Sequence, residues 1–380
     1  MKRFFGFMAA LVLFVGLLPL SARAEGPQVQ AKSAVLMELS TGKILSAQNE
    51  HTPLPPASVT KVMTMLLIME AIDSGKISWE DTVTASETAA AKGGSQVYLK
   101  VGETMSVRDM VKAIAVSSAN DCACAMAEHL AGSEEAFVTQ MNDRAKALGM
   151  ADTHFINCTG LDDGPDGKNH LTSAYDIALM SRELLVNHPA IKEFTTIWMD
   201  TLREGTFGLS NTNKMVRFYS GCTGLKTGFT QGAGYCLSAS AQREGMELVA
   251  VVMGCESSRV RFDACKSLLD YGFANFAVIS PEIPDARVPV TLGKSENIRA
   301  VPGEVTPLLI DKGQKNSVTT DITLEESVSA PVAKGQRLGT LTMKAGEQIL
   351  AQVPLVAEES VEALSFWNIF GKLLRKVCLG

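Results

Sequence analysis

The chain has 380 residues, 46% of them hydrophobic, and a formal net charge of −6. Its length exceeds one compact core, so two domains are expected, and an acidic body argues against nucleic acid as the main partner. The eight cysteines show no dense disulfide framework, and several, such as Cys236 in Tyr235-Cys236-Leu237, sit in apolar runs where buried free thiols are the simpler reading.

Residues 1–24 read as an export signal. Lys2 and Arg3 give a positive start, Phe4 to Leu20 is almost wholly apolar, and Ala22-Arg23-Ala24 supplies small residues before a cut at Glu25. A retained anchor is the rival, but the run is near the lower limit for spanning a bilayer. Cleavage removes three cations (Lys2, Arg3, Arg23) and no acid, so the charge goes from −6 to −9.

Ser33 to Met37 and Lys43 to Ala47 read as two strands of a hairpin around Ser40-Thr41-Gly42. Pro55 and Pro56 stop the chain, and a Met- and Leu-rich helix is expected from Ser58 through Ile72. Helical patterns follow at Ser106 to Val116, Asp121 to Ala131, Glu134 to Leu148 and Ser173 to Leu185, with a polar, glycine-rich loop from Gly160 to Asn169. Short β-prone runs return at Gly224 to Thr230, Tyr235 to Ala241 and Leu248 to Met253. One antiparallel sheet joining both ends of this region, with helices packed around it, accounts for the pattern.

After Phe276 the character changes. Pro281, Pro284 and Pro289 mark a boundary, and Val288 to Val356 shows short β-prone runs with turn residues between them. A small all-β sandwich domain is expected over 277–358. Beyond it, over 359–380, Ala363, Phe366, Trp367, Phe370, Leu373, Leu374 and Val377 recur at helical spacing, with Lys372, Arg375 and Lys376 toward the other side. This reads as a basic amphipathic helix that lies on a membrane surface and is too short and charged to cross it.

Three motifs carry the chemistry. Ser58-Val59-Thr60-Lys61 places a hydroxyl and an amine on one face of a helix start. Serine needs a base, and a lysine serves once burial and a second cation, here Lys226, lower its pKa. Ser118-Ala119-Asn120 offers a proton relay and an amide-binding side chain. Lys226-Thr227-Gly228 puts a carboxylate-binding pair on a strand, with a glycine that lets a substrate backbone approach. Each motif alone is weak: Ser-x-x-Lys is common in exposed helices, Ser and Asn are ordinary capping residues, and lysine often protects a sheet edge. Their order on an exported chain carries the inference. Cys122-Ala123-Cys124 has no nearby histidine pair, and residues two apart on a helix point different ways, so it is not read as a metal site.

With its flanking segments Pro55-Pro56-Ala57-Ser58, Gly93-Gly94-Ser95-Gln96, Asn157-Cys158-Thr159-Gly160-Leu161 and Gly232-Ala233-Gly234-Tyr235, the chain resembles the low-molecular-weight penicillin-binding proteins, serine-type D-Ala-D-Ala carboxypeptidases. The resemblance covers nearly all of the mature chain. It implies a β-lactamase/DD-peptidase-like α/β domain over 25–276, a β domain behind it and a C-terminal membrane-anchoring helix. It also implies that Ser58 is the nucleophile, Lys61 the base and Ser118 the proton shuttle. Asn120 then holds the substrate amide, Lys226, Thr227 and Gly228 bind its carboxylate end, and the backbone N–H groups of Ser58 and Phe229 form the oxyanion hole. The substrate implied is a peptidoglycan stem peptide ending in D-Ala-D-Ala, with β-lactams as inhibitors, no metal or other cofactor, and a peripheral location on the outer face of the cytoplasmic membrane, held through the C-terminal amphipathic helix. Phe229 departs from relatives that carry a polar residue there.

Three rivals remain. A class A β-lactamase shares the motifs, but those enzymes resemble one another in using a loop glutamate, and this chain has no Glu between Glu135 and Glu183. A histidine-based hydrolase lacks its Gly-x-Ser-x-Gly elbow, and His170 reads as a structural hydrogen-bonder. A non-catalytic wall-binding module would use the same pocket, and release of D-alanine separates it from an enzyme.

Overall fold

The computed structural model describes residues 26–162, 167–281, 285–304 and 306–370. The segment expected to be an export signal, residues 1–24, and the second half of the C-terminal tail, including Leu373, Leu374, Val377 and Cys378, lie outside the described residues.

The sheet joins the two ends of the first unit, as the β-prone runs at both ends implied. β1 (Ser33–Glu38) and β2 (Ile44–Gln48) form the hairpin, and β3 (Cys222–Thr230), β4 (Gly234–Arg243) and β5 (Met246–Cys255) return from far along the chain. Their order is β2-β1-β5-β4-β3, antiparallel throughout, with Val35 opposite Val251. Successive residues point to opposite faces. Val35, Met37, Val249, Val251 and Met253 enter one core, while Ala34, Leu36, Leu248, Ala250 and Val252 enter another. Both faces are covered, which is why runs such as Ala34 to Met37 and Leu248 to Met253 are apolar on both faces.

The first core holds helices α1 (Lys61–Asp73), α2 (Val107–Ser117), α3 (Asn120–Ala131), α4 (Glu134–Ala147) and α5 (Ala174–Asn187), and α6 (Ser258–Asn275) covers the second face. Serine caps set four of the starts. Ser106, Ser133, Ser173 and Ser257 accept from the N–H groups of Asp109, Ala136, Asp176 and Val260, each cap contributing about 1 kcal/mol. One start differs from expectation. Ser58 lies on a tight 3₁₀ turn, Ala57–Thr60, and the α-helix begins at Lys61. Ala57 has φ +49°, so the chain leaves Pro56 too sharply for an α-turn at Ser58.

The all-β unit follows. Strand Phe276–Ile279 pairs with Leu308–Asp311, and a six-stranded sheet runs in the order Val318–Leu324, Arg337–Ala345, Gln348–Ala357, Asn297–Pro302, Ala286–Thr291, Val328–Ser329. Val288, Ile298, Leu338, Leu341 and Leu355 form its core, and Ile279 and Leu308 of the two-stranded ribbon pack on it. Its end lies later than residue 358. Val361 is buried in this core and bridges Val332, so the expected helix does not begin at 359. Among the described residues the tail is helical over 366–370, with Phe366, Trp367 and Phe370 exposed. No described helix is long and apolar enough to cross a membrane.

Candidate active site

The 3₁₀ turn at the head of α1 presents Ser58 beside a buried amine. Lys61 Nζ lies 2.9 Å from Ser58 Oγ and 2.7 Å from the Thr159 carbonyl oxygen, and the whole Lys61 side chain is out of solvent. Burial lowers its pKa from 10.5 to about 7, against the smaller opposing influence of Cys158 and Asp121. Sequence reasoning divided this effect between burial and a second cation. At Lys61 burial alone does the lowering, and the repulsion between the two amines is felt at Lys226 instead.

The loop that supplies the Thr159 carbonyl is pinned by Asn157, whose Oδ1 accepts from the N–H groups of Thr159 and Gly160. Gly160 has φ +82°, and a Cβ there would collide with the Ala57 carbonyl oxygen and meet Thr60 Oγ1 at 2.8 Å. Only glycine lets this loop close on the serine turn. His170 braces the same turn. Its Nδ1 accepts from Ile156 N–H at 3.1 Å, which leaves the proton on Nε2 to donate to Thr60 Oγ1 at 2.7 Å, and Thr60 donates onward to the Ala57 carbonyl. Burial lowers the His170 pKa to about 4. It is a structural hydrogen-bonder, as its place in the sequence suggested.

β3 forms the facing wall. Lys226 is buried and donates to the Thr227 carbonyl at 2.9 Å. Its pKa falls well below the ordinary lysine value, first from burial and then from repulsion by Lys61 and Arg261. A Cβ on Gly228 would stand 2.6 Å from the Pro56 carbonyl oxygen and 3.1 Å from Ser58 N. The strand backbone therefore lies against the serine turn, and glycine is what lets it. Phe229 follows, 51% exposed, its ring 4.3 Å from that of Tyr235.

Ser118 ends α2 in the left-handed conformation, φ +66°, which turns its side chain out of the helix. Its Oγ and Asn120 Oδ1 are buried without a hydrogen-bond partner in the protein. Asn120 is held from the other side: its backbone N–H donates to the Ser95 carbonyl and its side-chain Nδ2 to the Gly93 carbonyl, both at 2.7 Å. Two buried acceptors with unused capacity on one turn are placed to receive hydrogen bonds from a bound molecule.

Two residues that sequence reasoning missed connect these walls. Thr227 Oγ1 donates to Thr212 Oγ1 at 2.6 Å, and Thr212 N–H donates to the Val116 carbonyl at the end of α2. Arg261, from α6, donates to the carbonyls of Gly228 and Cys236 beneath the strand. Neither lies in a local pattern. The seven described cysteines are free. Cys124 faces Glu128 and Glu134, whereas Cys122 is perturbed mainly by burial and by Asp121, consistent with residues that point different ways. Among the described residues a possible metal-ligand cluster, Glu70, Glu183 and His188, has both glutamates already engaged by Arg144.

A family profile described as D-alanyl-D-alanine carboxypeptidase matches residues 21–257, and one described as penicillin-binding protein 5, C-terminal domain, matches residues 278–363. The D-alanyl-D-alanine carboxypeptidase DacF of Bacillus subtilis is 44% identical over 344 residues, which is 89% of this chain and 87% of the relative. Penicillin-binding protein 5 from Haemophilus influenzae superposes with a TM-score of 0.73 at 30% identity, over 88% of this chain and 98% of that one. Penicillin-binding protein D2 from Listeria monocytogenes, solved in an ampicillin-bound form, superposes with a TM-score of 0.59 at 33% identity, over 65% of this chain and 100% of that one.

Proposed function

The chain belongs to the D-alanyl-D-alanine carboxypeptidase family, and from that premise we propose that it removes the terminal D-alanine from peptidoglycan stem peptides by a serine acyl-enzyme route. Ser58 Oγ attacks the carbonyl between the two D-alanines while its proton passes to neutral Lys61 Nζ. The backbone N–H groups of Ser58 and Phe229 take the developing oxyanion. Ser118 relays the proton from Lys61 to the departing amine, the C–N bond breaks, and D-alanine leaves. Water then attacks the ester on Ser58 and releases the shortened peptide. Asn120 holds the substrate amide, while Lys226 and Thr227 bind the terminal carboxylate. That carboxylate offsets the repulsion at Lys226 and favours its charged form.

The observation that carries this reading is the 2.9 Å contact between Ser58 Oγ and a fully buried Lys61 whose pKa sits near 7. A β-lactam presents a similar carbonyl and carboxylate to the same groups, so penicillin acylates Ser58. With no glutamate between Glu135 and Glu183 to activate a deacylating water, the adduct is long-lived. Intact-protein mass spectrometry after penicillin treatment tests this. A persistent adduct on wild type, absent from Ser58→Ala, is expected; return to unmodified mass within seconds would instead favour a β-lactamase. The same reading places the protein outside the cytoplasmic membrane, exported by residues 1–24 and held at the surface by the helix that begins at the exposed aromatics Phe366, Trp367 and Phe370.

A further inference from the structure

Tyr98 combines two features that local packing does not explain. Its φ is +58°, a region in which a bulky aromatic residue is an outlier. The residue is 70% exposed, while its neighbours Val97 and Leu99 are buried. Burial of the ring therefore does not offset the strain, and other bonds hold the residue in place. The N–H groups of Val97 and Leu99 donate to the Asp121 carboxylate at 3.1 and 3.0 Å. Arg203 donates to the carbonyls of Val97 at 2.9 Å and Tyr98 at 3.4 Å. Arg203 also lies 5.2 Å over the Phe207 ring, which meets the Tyr98 ring edge-on at 6.4 Å.

This segment is tied to the candidate active site. Asp121 directly follows Asn120, and Asn120 itself donates to the carbonyls of Gly93 and Ser95 in the same loop. The loop thus grips the Ser118–Asn120 turn from residue 93 to residue 99 and carries an exposed aromatic at its strained apex. Strain that surrounding bonds over-determine, next to a reacting centre, marks a functional conformation.

We propose that Tyr98 is a specificity residue for this reaction, a rigid stacking platform for the glycopeptide portion of the substrate upstream of D-Ala-D-Ala. The proposal rests on the reading that Asn120 binds the substrate amide, because the chain leading away from that amide then passes the Tyr98 loop. Sugar faces and peptide planes both pack on an aromatic ring, and a ring fixed in advance loses little freedom on binding. A substrate truncated to its last residues does not reach the platform fully.

The test measures D-alanine release from two substrates, diacetyl-L-lysyl-D-alanyl-D-alanine and a disaccharide pentapeptide. Tyr98→Asn removes the ring but suits the left-handed backbone, and Tyr98→Phe keeps the ring. In Tyr98→Asn the ratio of kcat/KM, long substrate to short, is expected to fall about three- to tenfold, the size of one aromatic contact, with the change in KM. Tyr98→Phe is expected to hold the ratio, and the Tm of Tyr98→Asn to stay level or rise by about 2 °C as strain is relieved. A ratio within twofold of wild type in Tyr98→Asn, or an equal loss on both substrates with a lower Tm, overturns the platform alone. D-alanine release by Ser58→Ala at the wild-type rate overturns the proposed function and the platform with it.

Discussion

Acylation should titrate with Lys61. An ordinary lysine near 10.5 is neutral in about one molecule in three thousand at pH 7, whereas Lys61, held near 7, is neutral in about one in two. The neutral share is then about one in eleven a pH unit below that value and about ten in eleven a unit above it. The second-order rate of acylation by a fluorescent penicillin, which reports the free enzyme, should therefore rise about tenfold between pH 6 and pH 8. The rate is read by rapid quench and gel fluorescence at constant ionic strength. His170, near 4, is already neutral across this range and does not contribute. Lys61→Arg keeps a cation that cannot deprotonate, so its rate should fall by roughly 10²- to 10⁴-fold. A flat wild-type profile from pH 6 to 8, or a midpoint above pH 9, would refute the argument that burial makes Lys61 the base.

Further outcomes follow from the same contacts. Gly160→Ala forces a Cβ into the Ala57 carbonyl and should cost about 3 kcal/mol of stability, seen as a lower Tm together with slower acylation, because the Thr159 carbonyl is displaced from Lys61. His170 should produce an acid-labile fold. Its folded pKa of about 4 lies below the unfolded value of about 6.5, so the unfolded chain binds the extra proton and stability falls as pH drops from about 6.5 toward 4. The loss reaches about 3 kcal/mol; urea titrations at pH 7 and pH 4.5 measure it, and equal midpoints would contradict it. Flotation with anionic liposomes should carry the full chain upward and leave a chain truncated after Leu364, which keeps Val361 in the β core, at the bottom of the gradient.

What the sequence reveals here is local or periodic. The strands β1 and β5 are readable because they are short β-prone runs bounded by turn residues, and Ser58 with Lys61 is readable because three residues close one turn. Thr212 and Arg261 are invisible by the same logic. Each is a single polar residue whose partner, Thr227 or the Gly228 carbonyl, is reached only when the sheet assembles. The Thr159 carbonyl is backbone and has no side-chain signature at all. The tail shows the opposite error. The helix expected over 359–380 takes in Val361, yet Val361 closes the β core against Val332, because an apolar residue at a boundary fits either element until packing decides. The loop from Gly93 to Leu99 carried recognisable text, but not the positive φ at Tyr98 that gives it a role.

The central claim, that this chain is a serine peptidase working through Ser58 and Lys61, is tested most directly by D-alanine release from a peptide ending in D-Ala-D-Ala. Wild type should release D-alanine with turnover, and Ser58→Ala, assayed at the same concentration and shown folded by its Tm, should release none above background. Equal release by the two proteins, or binding of the peptide by wild type without release, would contradict it.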